Sequence, residues 1–385
     1  MRRLSSIVSL LTDRLRDEFG LTRLCIGGAS APALLDHLFA GNPLRMRDFD
    51  LVMVADRTVE EDLARRIGQA LDSPELRFLP RYVYPRSRSR GETVLWIAGW
   101  GLIWDAKGVE VDLSIFHDDD AHDLNGLLNI DRIRVPIRPG KTLNEIAAEM
   151  LVAGCPDAAI ASGLIDDPWG GYASWVHRSP VIVGWRAVQA SPIECAIRIV
   201  RACANKLHLN HLHPELADPL RAAILQGHMR GDRFLRVRNF VKLLHDDRSG
   251  AELEMLHALG VFAHWLPEVG DTIAKLGHGG LIRLLNEADR EGRRNEEHHL
   301  AFERAGEQGG DETSAWRLEA LLLAMAPSKR TRVLEEIALA EPTFAALVRS
   351  QIPLIARRKT KRRDEDVDAV LPPPKSNELH VTVPV

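Results

Sequence analysis

Three acidic residues carry the clearest chemistry in this sequence. Asp48 and Asp50 stand two apart in RDFDLVMVA, which reads as a strand, so both leave one face while Phe49 turns to the other. Asp112 lies in a second apolar strand, GVEVDLSIF. If the two strands are neighbours, three like charges crowd one spot, which is unfavourable unless a cation compensates them. Hard oxygen ligands on a rigid sheet suit Mg²⁺, and a two-metal site stabilises the attacking and leaving oxygens of an in-line phosphoryl displacement. An isolated Asp-x-Asp is more often a solvated strand edge. Here it follows strand, Gly27-Gly28-x-Ser30 and helix by about twenty residues, which sets a phosphate cradle and metal ligands on adjacent elements.

The elements that must position these residues are legible in the pattern. LTRLCIGG reads as a short buried strand and SAPALLDHLFAG as a helix, with Ser30 as the expected N-cap, Pro32 in the first turn and Gly41 as C-cap. TVLWIAGWGLIW is rich in β-branched and aromatic residues and reads as further strands. From about Asn144 onward IECAIRIVRACANKL, DRFLRVRNFVKLL and GAELEMLHALG repeat apolar residues at helical spacing. The first third is therefore mixed α and β and the back half all-α, an α+β chain. The opening MRRLSSIVSLLTDRLRDEFG reads as an amphipathic helix, and the closing RRKTKRRDEDVDAVLPPPKSNELHVTVPV as a flexible charged tail.

At 385 residues, 45% hydrophobic and 27% charged, the chain has room for two or three globular domains. Its net charge of -4 gives no global attraction to nucleic acid, so any RNA contact must be local. No apolar run is long enough to span a bilayer, which predicts no membrane partner. Four cysteines without CxxC spacing fit a reducing cytoplasm.

The segment IGGASAPALLDHLFAGNPLRMRDFDLVMV resembles the class II tRNA CCA-adding enzymes and bacterial poly(A) polymerases, of the polymerase-β-type nucleotidyltransferase superfamily. LIDDPWGG, residues 164–171, is similar to the family's Asp-Pro-x-Gly-Gly stretch, and PIECAIRIVRACANKLHL to its helix with the base-selecting EDxxR motif. RFLRVRNFVKLL followed by MLHALGVFAHWLPEV resembles its helical body. The resemblance implies a polymerase-β-like head over 1–175, a helical neck over 176–250, a body over 251–356 and a tail over 357–385. It also implies that Asp48 and Asp50 hold Mg²⁺, that Gly27, Gly28, Ser30 and Asp157 contact the nucleotide, and that Glu194, Arg198 and Arg201 line the base-selecting helix. Asp112 is expected to join the catalytic acids.

Departures from the pattern narrow the expectation. Ala31 and Pro32 stand where the family has an Arg-Asp pair, and Cys195 replaces the central Asp of EDxxR. A thiol cannot present a carboxylate to a base edge, so ordered C, C, A addition is not expected. The expected activity is transfer of NMP from an NTP, with ATP as the expected donor, to an RNA 3′ end, tRNA-like or other. The alternatives are a non-catalytic RNA-binding relative, or transfer to a protein or small molecule. Arg86, Arg88 and Arg90, interleaved with Tyr82 and Tyr84, are the candidate RNA contacts. The basic run Arg357 to Arg363 reads as a solvated segment, FHDDDAHDL as a surface loop, and His298-His299 as an exposed helix face.

Overall fold

The computed structural model describes residues 23–44, 48–55, 77–79, 93–97, 100–104, 110–117, 126–138, 140–227, 231–293, 312–342, 344–346 and 348–349. The segment expected to form an opening helix, Arg86, Arg88, Arg90, the stretch 118–124, His298-His299 and the expected tail from 357 lie outside these residues.

The strands are β1 (Arg23–Ile26), β2 (Asp48–Ala55), β3 (Arg77–Leu79), β4 (Thr93–Ile97), β5 (Trp100–Trp104), β6 (Glu110–His117) and β7 (Val135–Pro136). They form one mixed sheet in the order β3-β5-β4-β6-β2-β1-β7. β6 runs parallel to both of its neighbours, β2 and β4, while the remaining pairs are antiparallel. Helix α1 (Ser30–Ala40) joins β1 to β2 and ends at Gly41, as the sequence predicts. Along β2, Phe49 and Leu51 are buried in alternation with Asp50, and Leu113 of β6 is buried opposite Leu51.

From residue 143 the chain is helical: α2 (Leu143–Ala153), α3 (Pro156–Ala161), α4 (Gly171–His177), α5 (Trp185–Ala190), α6 (Pro192–Lys206), α7 (Pro214–Gly227), α8 (Arg233–His245), α9 (Ser249–Ala258), α10 (Val261–His264), α11 (Pro267–Arg293), α12 (Glu312–Leu323) and α13 (Pro327–Ala338). α11 is broken at Gly277, whose φ of 63° no helix accommodates. One apolar core runs from Leu127 through α6, α8, α9 and α12 to Val348. α6 is its axis, with Ile193, Ala196, Ile197, Ile199, Val200 and Cys203 all buried. At α8, Phe240 stacks edge-on against Phe262 and Trp265, an arrangement favoured by the aromatic quadrupole.

A short 3₁₀ turn, Asn129–Arg132, links the sheet to this core. The buried Asn129 amide donates to Ser174 Oγ at 2.8 Å and to the Trp169 carbonyl, and its Oδ1 accepts from Val181 N and Ile130 N. The 164–171 motif proves to be helix-capping: Asp167 accepts from Gly171 N at 2.6 Å and Tyr172 N at 2.9 Å, the free N–H groups of α4. Gly171 is obligatory there, since a Cβ would lie 2.9 Å from the Asn129 carbonyl carbon.

Candidate active site

The sheet register brings the sequence-predicted acids together. β2 and β6 pair in parallel with Asp50 opposite Asp112 and Asp48 opposite Glu110. Residues two apart share a face and directly paired residues share it too, so four acidic positions form a two-by-two block on one face across neighbouring strands. Glu110 is an acid the sequence reading passed over. The signal was available: Glu110-x-Asp112 repeats the spacing of Asp48-x-Asp50.

Asp50 is gripped by the turn between β1 and α1. Its Oδ2 accepts from Ala29 N at 2.9 Å and from Ser30 Oγ at 3.5 Å, its N–H donates to Ser30 Oγ at 2.9 Å, and its carbonyl accepts from Gly27 N at 3.0 Å. This corrects two expectations. Ser30 is not the N-cap; it is the first residue of α1, Ala29 precedes it without a side-chain cap, and the Ser30 hydroxyl serves Asp50 instead. The N-terminal N–H groups expected to face a phosphate are occupied within the turn: Ala29 N by Asp50, and Ser30 N and Ala31 N by the Gly27 carbonyl.

Gly28 makes this grip possible. Its φ is +53°, and a Cβ would sit 2.6 Å from Asp50 Cγ. Gly28→Ala is therefore expected to displace Asp50 and strain the turn together, lowering the melting midpoint by several degrees for a loss of about 1–3 kcal/mol. A crystal structure of the variant with Asp50 still on the Ala29 N–H would refute this.

The base-selecting residues predicted on α6 lie on a second element. Glu194 is buried and forms an ion pair with the exposed Arg198 at 4.0 Å. Burial raises the Glu194 pKa, with Arg198 acting against it. Cys195 is a core residue, 2% exposed, its thiol pushed up to about 12 by burial.

Arg201, one turn beyond Arg198, is engaged in a different way. Its Nε donates to Asp246 Oδ2 at 2.7 Å and its Nη2 to Asp246 Oδ1 at 3.1 Å, a bidentate pair. Asn205 donates to the same Asp246 and to Glu252, while Arg317, paired with Asp289, donates to the Asp246 carbonyl at 2.6 Å. This buried network bolts α6 to α9, α11 and α12, and nothing in the sequence spacing announced it. Asp157 is exposed in the first turn of the short helix α3. Away from the β2–β6 acidic block, no cluster of three His, Cys, Asp or Glu side chains among the described residues could hold a metal, and the four cysteines are free. No helix is long and apolar enough to cross a membrane among those residues.

No protein-family model and no curated protein matches this sequence. Solved structures do match in fold, among them tRNA-processing enzymes and CCA-adding enzymes. An apo tRNA-processing enzyme superposes with a TM-score of 0.53 at 13% identity, over 92% of this chain and 83% of that one. A CCA-adding enzyme solved with ATP gives 0.53 at 13% identity over 94% of this chain and 74% of that one. A CCA-adding enzyme with CTP gives 0.51 at 13% identity over 93% and 72%. The chain therefore has, along most of its length, the fold of CCA-adding enzymes: a small sheet followed by many helices.

Proposed function

We propose that the chain transfers a nucleoside monophosphate from a nucleoside triphosphate, with ATP the expected donor, to the 3′ hydroxyl of an RNA, tRNA or another, releasing pyrophosphate. The observation that carries this reading is the acidic block on β2 and β6, with the Gly27-Gly28 turn folded onto Asp50. An acidic block is costly without a cation, and its all-oxygen donor set fits Mg²⁺. Asp48 and Asp50 would hold the ions and Asp112 would complete the set or take the 3′ hydroxyl proton. Bound there, Mg²⁺ supplies charge to the attacking and leaving oxygens.

The turn contributes on its own account. Drawing Asp50 away from it would release the Ala29 N–H and the Ser30 hydroxyl for a phosphate, so Gly27, Gly28 and Ser30 stay in the nucleotide-contact set. The fold likeness to CCA-adding enzymes solved with ATP and CTP supports nucleotide transfer as the chemistry. We read residues 1–175 as head, 176–250 as neck, 251–356 as body and 357–385 as tail, in the cytoplasm. Incubation with each labelled NTP, Mg²⁺ and total RNA tests the function; label in RNA supports it, label in protein or in neither refutes it.

Base choice on α6 is expected to rest on Arg198, an exposed fork of donors. Arg198→Ala should flatten the preference among the four NTPs by about tenfold or more, the cost of one good bidentate base contact. Cys195→Asp should not restore an ordered C, C, A series, because position 195 faces the core and a buried carboxylate there destabilises α6. An unchanged nucleotide profile in Arg198→Ala shows that this helix does not read the base.

A further inference from the structure

Among the described residues only Arg178, φ 54°, and His208, φ 55°, hold a left-handed backbone without being glycine. Both sit just past a helix C-terminus. Arg178 closes α4, its N–H donating to the Ser174 and Trp175 carbonyls, and His208 follows Leu207, the C-cap of α6. Glycine is the usual residue there because it adopts this backbone without steric cost. The sequence keeps two large side chains with basic nitrogens where glycine would be cheaper, and strain of this kind gathers at functional sites.

Both residues are exposed, and the helices they follow are anchored on one turn. α4 is tied to the 3₁₀ turn through Asn129 and Ser174, and Asp131 of that turn pairs with Lys206, at the end of α6, at 2.7 Å. Arg248 reaches across the same chain end, Nη1 donating to the Ala204 carbonyl at 3.1 Å and Nη2 to Asn210 Oδ1. The charged groups acting on the His208 imidazole are both cations, Arg248 and Arg178, and after burial they hold its pKa below the ordinary value. Asp131, the carboxylate on the shared turn, is already occupied by Lys206. Arg248 has a structural duty as a cap on α6, which a cation at a helix C-terminus performs well. Among the described residues, the exposed guanidinium of Arg178 and the His208 ring show no duty of that kind.

We propose that Arg178, His208 and Arg248 form a phosphate site that grips the backbone of the RNA acceptor behind its reacting end. The proposal rests on the RNA-directed reading above. His208 follows Arg198 by ten residues, two of them past the end of α6, so it lies roughly 15 Å away at 1.5 Å per residue, about four nucleotides at 3.4 Å each. That is the spacing of an upstream strand, not of the triphosphate of a nucleotide whose base is read at Arg198. On the same turn, Trp169 and Val181, both more than half exposed and both bonded to Asn129, offer apolar surface against which a base can stack.

Glycine substitutions test this in the full chain, because they remove the side chain and relieve the backbone at once. Arg178→Gly and His208→Gly should melt at or above the parent temperature. Binding of a fluorescent tRNA-like hairpin, read by anisotropy without nucleotide, should nonetheless weaken severalfold in each. For Arg178→Gly the slope of log affinity against log salt should fall by about one, the signature of a lost phosphate contact. Inorganic phosphate alone should leave the parent's melting temperature unchanged, which separates a strand site from a free-anion site. Parental RNA affinity and salt slope in both variants, or no RNA binding by the parent, overturns the proposal; so does a phosphate-induced stabilisation that the variants lose while their RNA binding stays parental. Binding is read without catalysis, so failure of the transferase reading would appear in the Asp50 variants instead.

Discussion

Asp50→Asn is expected to lower nucleotide transfer on the order of a thousandfold, the scale on which losing one preorganised electrostatic contact acts, while the chain melts close to the parent temperature. The amide keeps an oxygen able to accept from the Ala29 N–H and the Ser30 hydroxyl, so the turn retains its shape. What it lacks is the negative charge that a cation requires. Asp50→Ala should be equally inactive but should also loosen the turn, since Ala29 N loses its acceptor. Comparing the pair separates charge from scaffolding. Initial rates of labelled-NMP incorporation and thermal melts at matched Mg²⁺ provide the readout. Transfer by Asp50→Asn within a fewfold of the parent removes Asp50 from the chemistry.

The largest expected effect on stability lies far from that site, at Glu319 on α12. Its side chain is wholly buried, and among the described residues neither carboxyl oxygen has a hydrogen-bond partner. Burial pushes it from 4.5 up to about 9, so it is neutral in the folded chain at pH 7 and ionised in the unfolded one. The folded state thus binds a proton that the unfolded state has released. Stability from this group is fully present below about pH 4.5 and is lost as pH rises to about 9, at up to about 1.4 kcal/mol per pH unit within that window. Glu252 moves in the same direction, through burial and then the neighbouring Asp246 carboxylate, and adds to the slope.

Glu319→Leu is accordingly expected to raise the denaturation midpoint at pH 8 by several kcal/mol in free energy, on the order of 3–5, because an apolar residue of similar volume removes an unpaired buried polar group. Glu319→Gln should flatten the pH dependence as well but stabilise less, since its amide is left unpartnered. Urea midpoints measured from pH 5 to 9 give the comparison. Parallel pH profiles for parent and Glu319→Leu mean that Glu319 does not titrate in the folded chain as described.

The elements that carry the proposed chemistry were legible locally. Alternation in RDFDLVMVA and GVEVDLSIF marked β2 and β6, and Gly-Gly before an apolar three-and-four spacing marked the β1–α1 turn, because strand and helix periods are written directly into burial. The change to helices near residue 143 was visible for the same reason.

What spacing could not supply was pairing between distant segments. That β2 and β6 are parallel neighbours, with Glu110 beside Asp48, follows from a crossover that sheet formation selects, not from either strand alone. The same holds for Ser30, which local rules made an N-cap and which Asp50, twenty residues away, claimed instead. Arg201, expected along the base-selecting helix, is held bidentately by Asp246 at the C-terminal end of α8, a partner its spacing does not reveal. The sequence determined by itself which residues could form strands, turns and helices, and so which acids could share a face, because those preferences are local. Only the tertiary structure decided which polar groups meet, because a buried hydrogen bond or ion pair forms between whichever partners the packed core sets within about 3 Å.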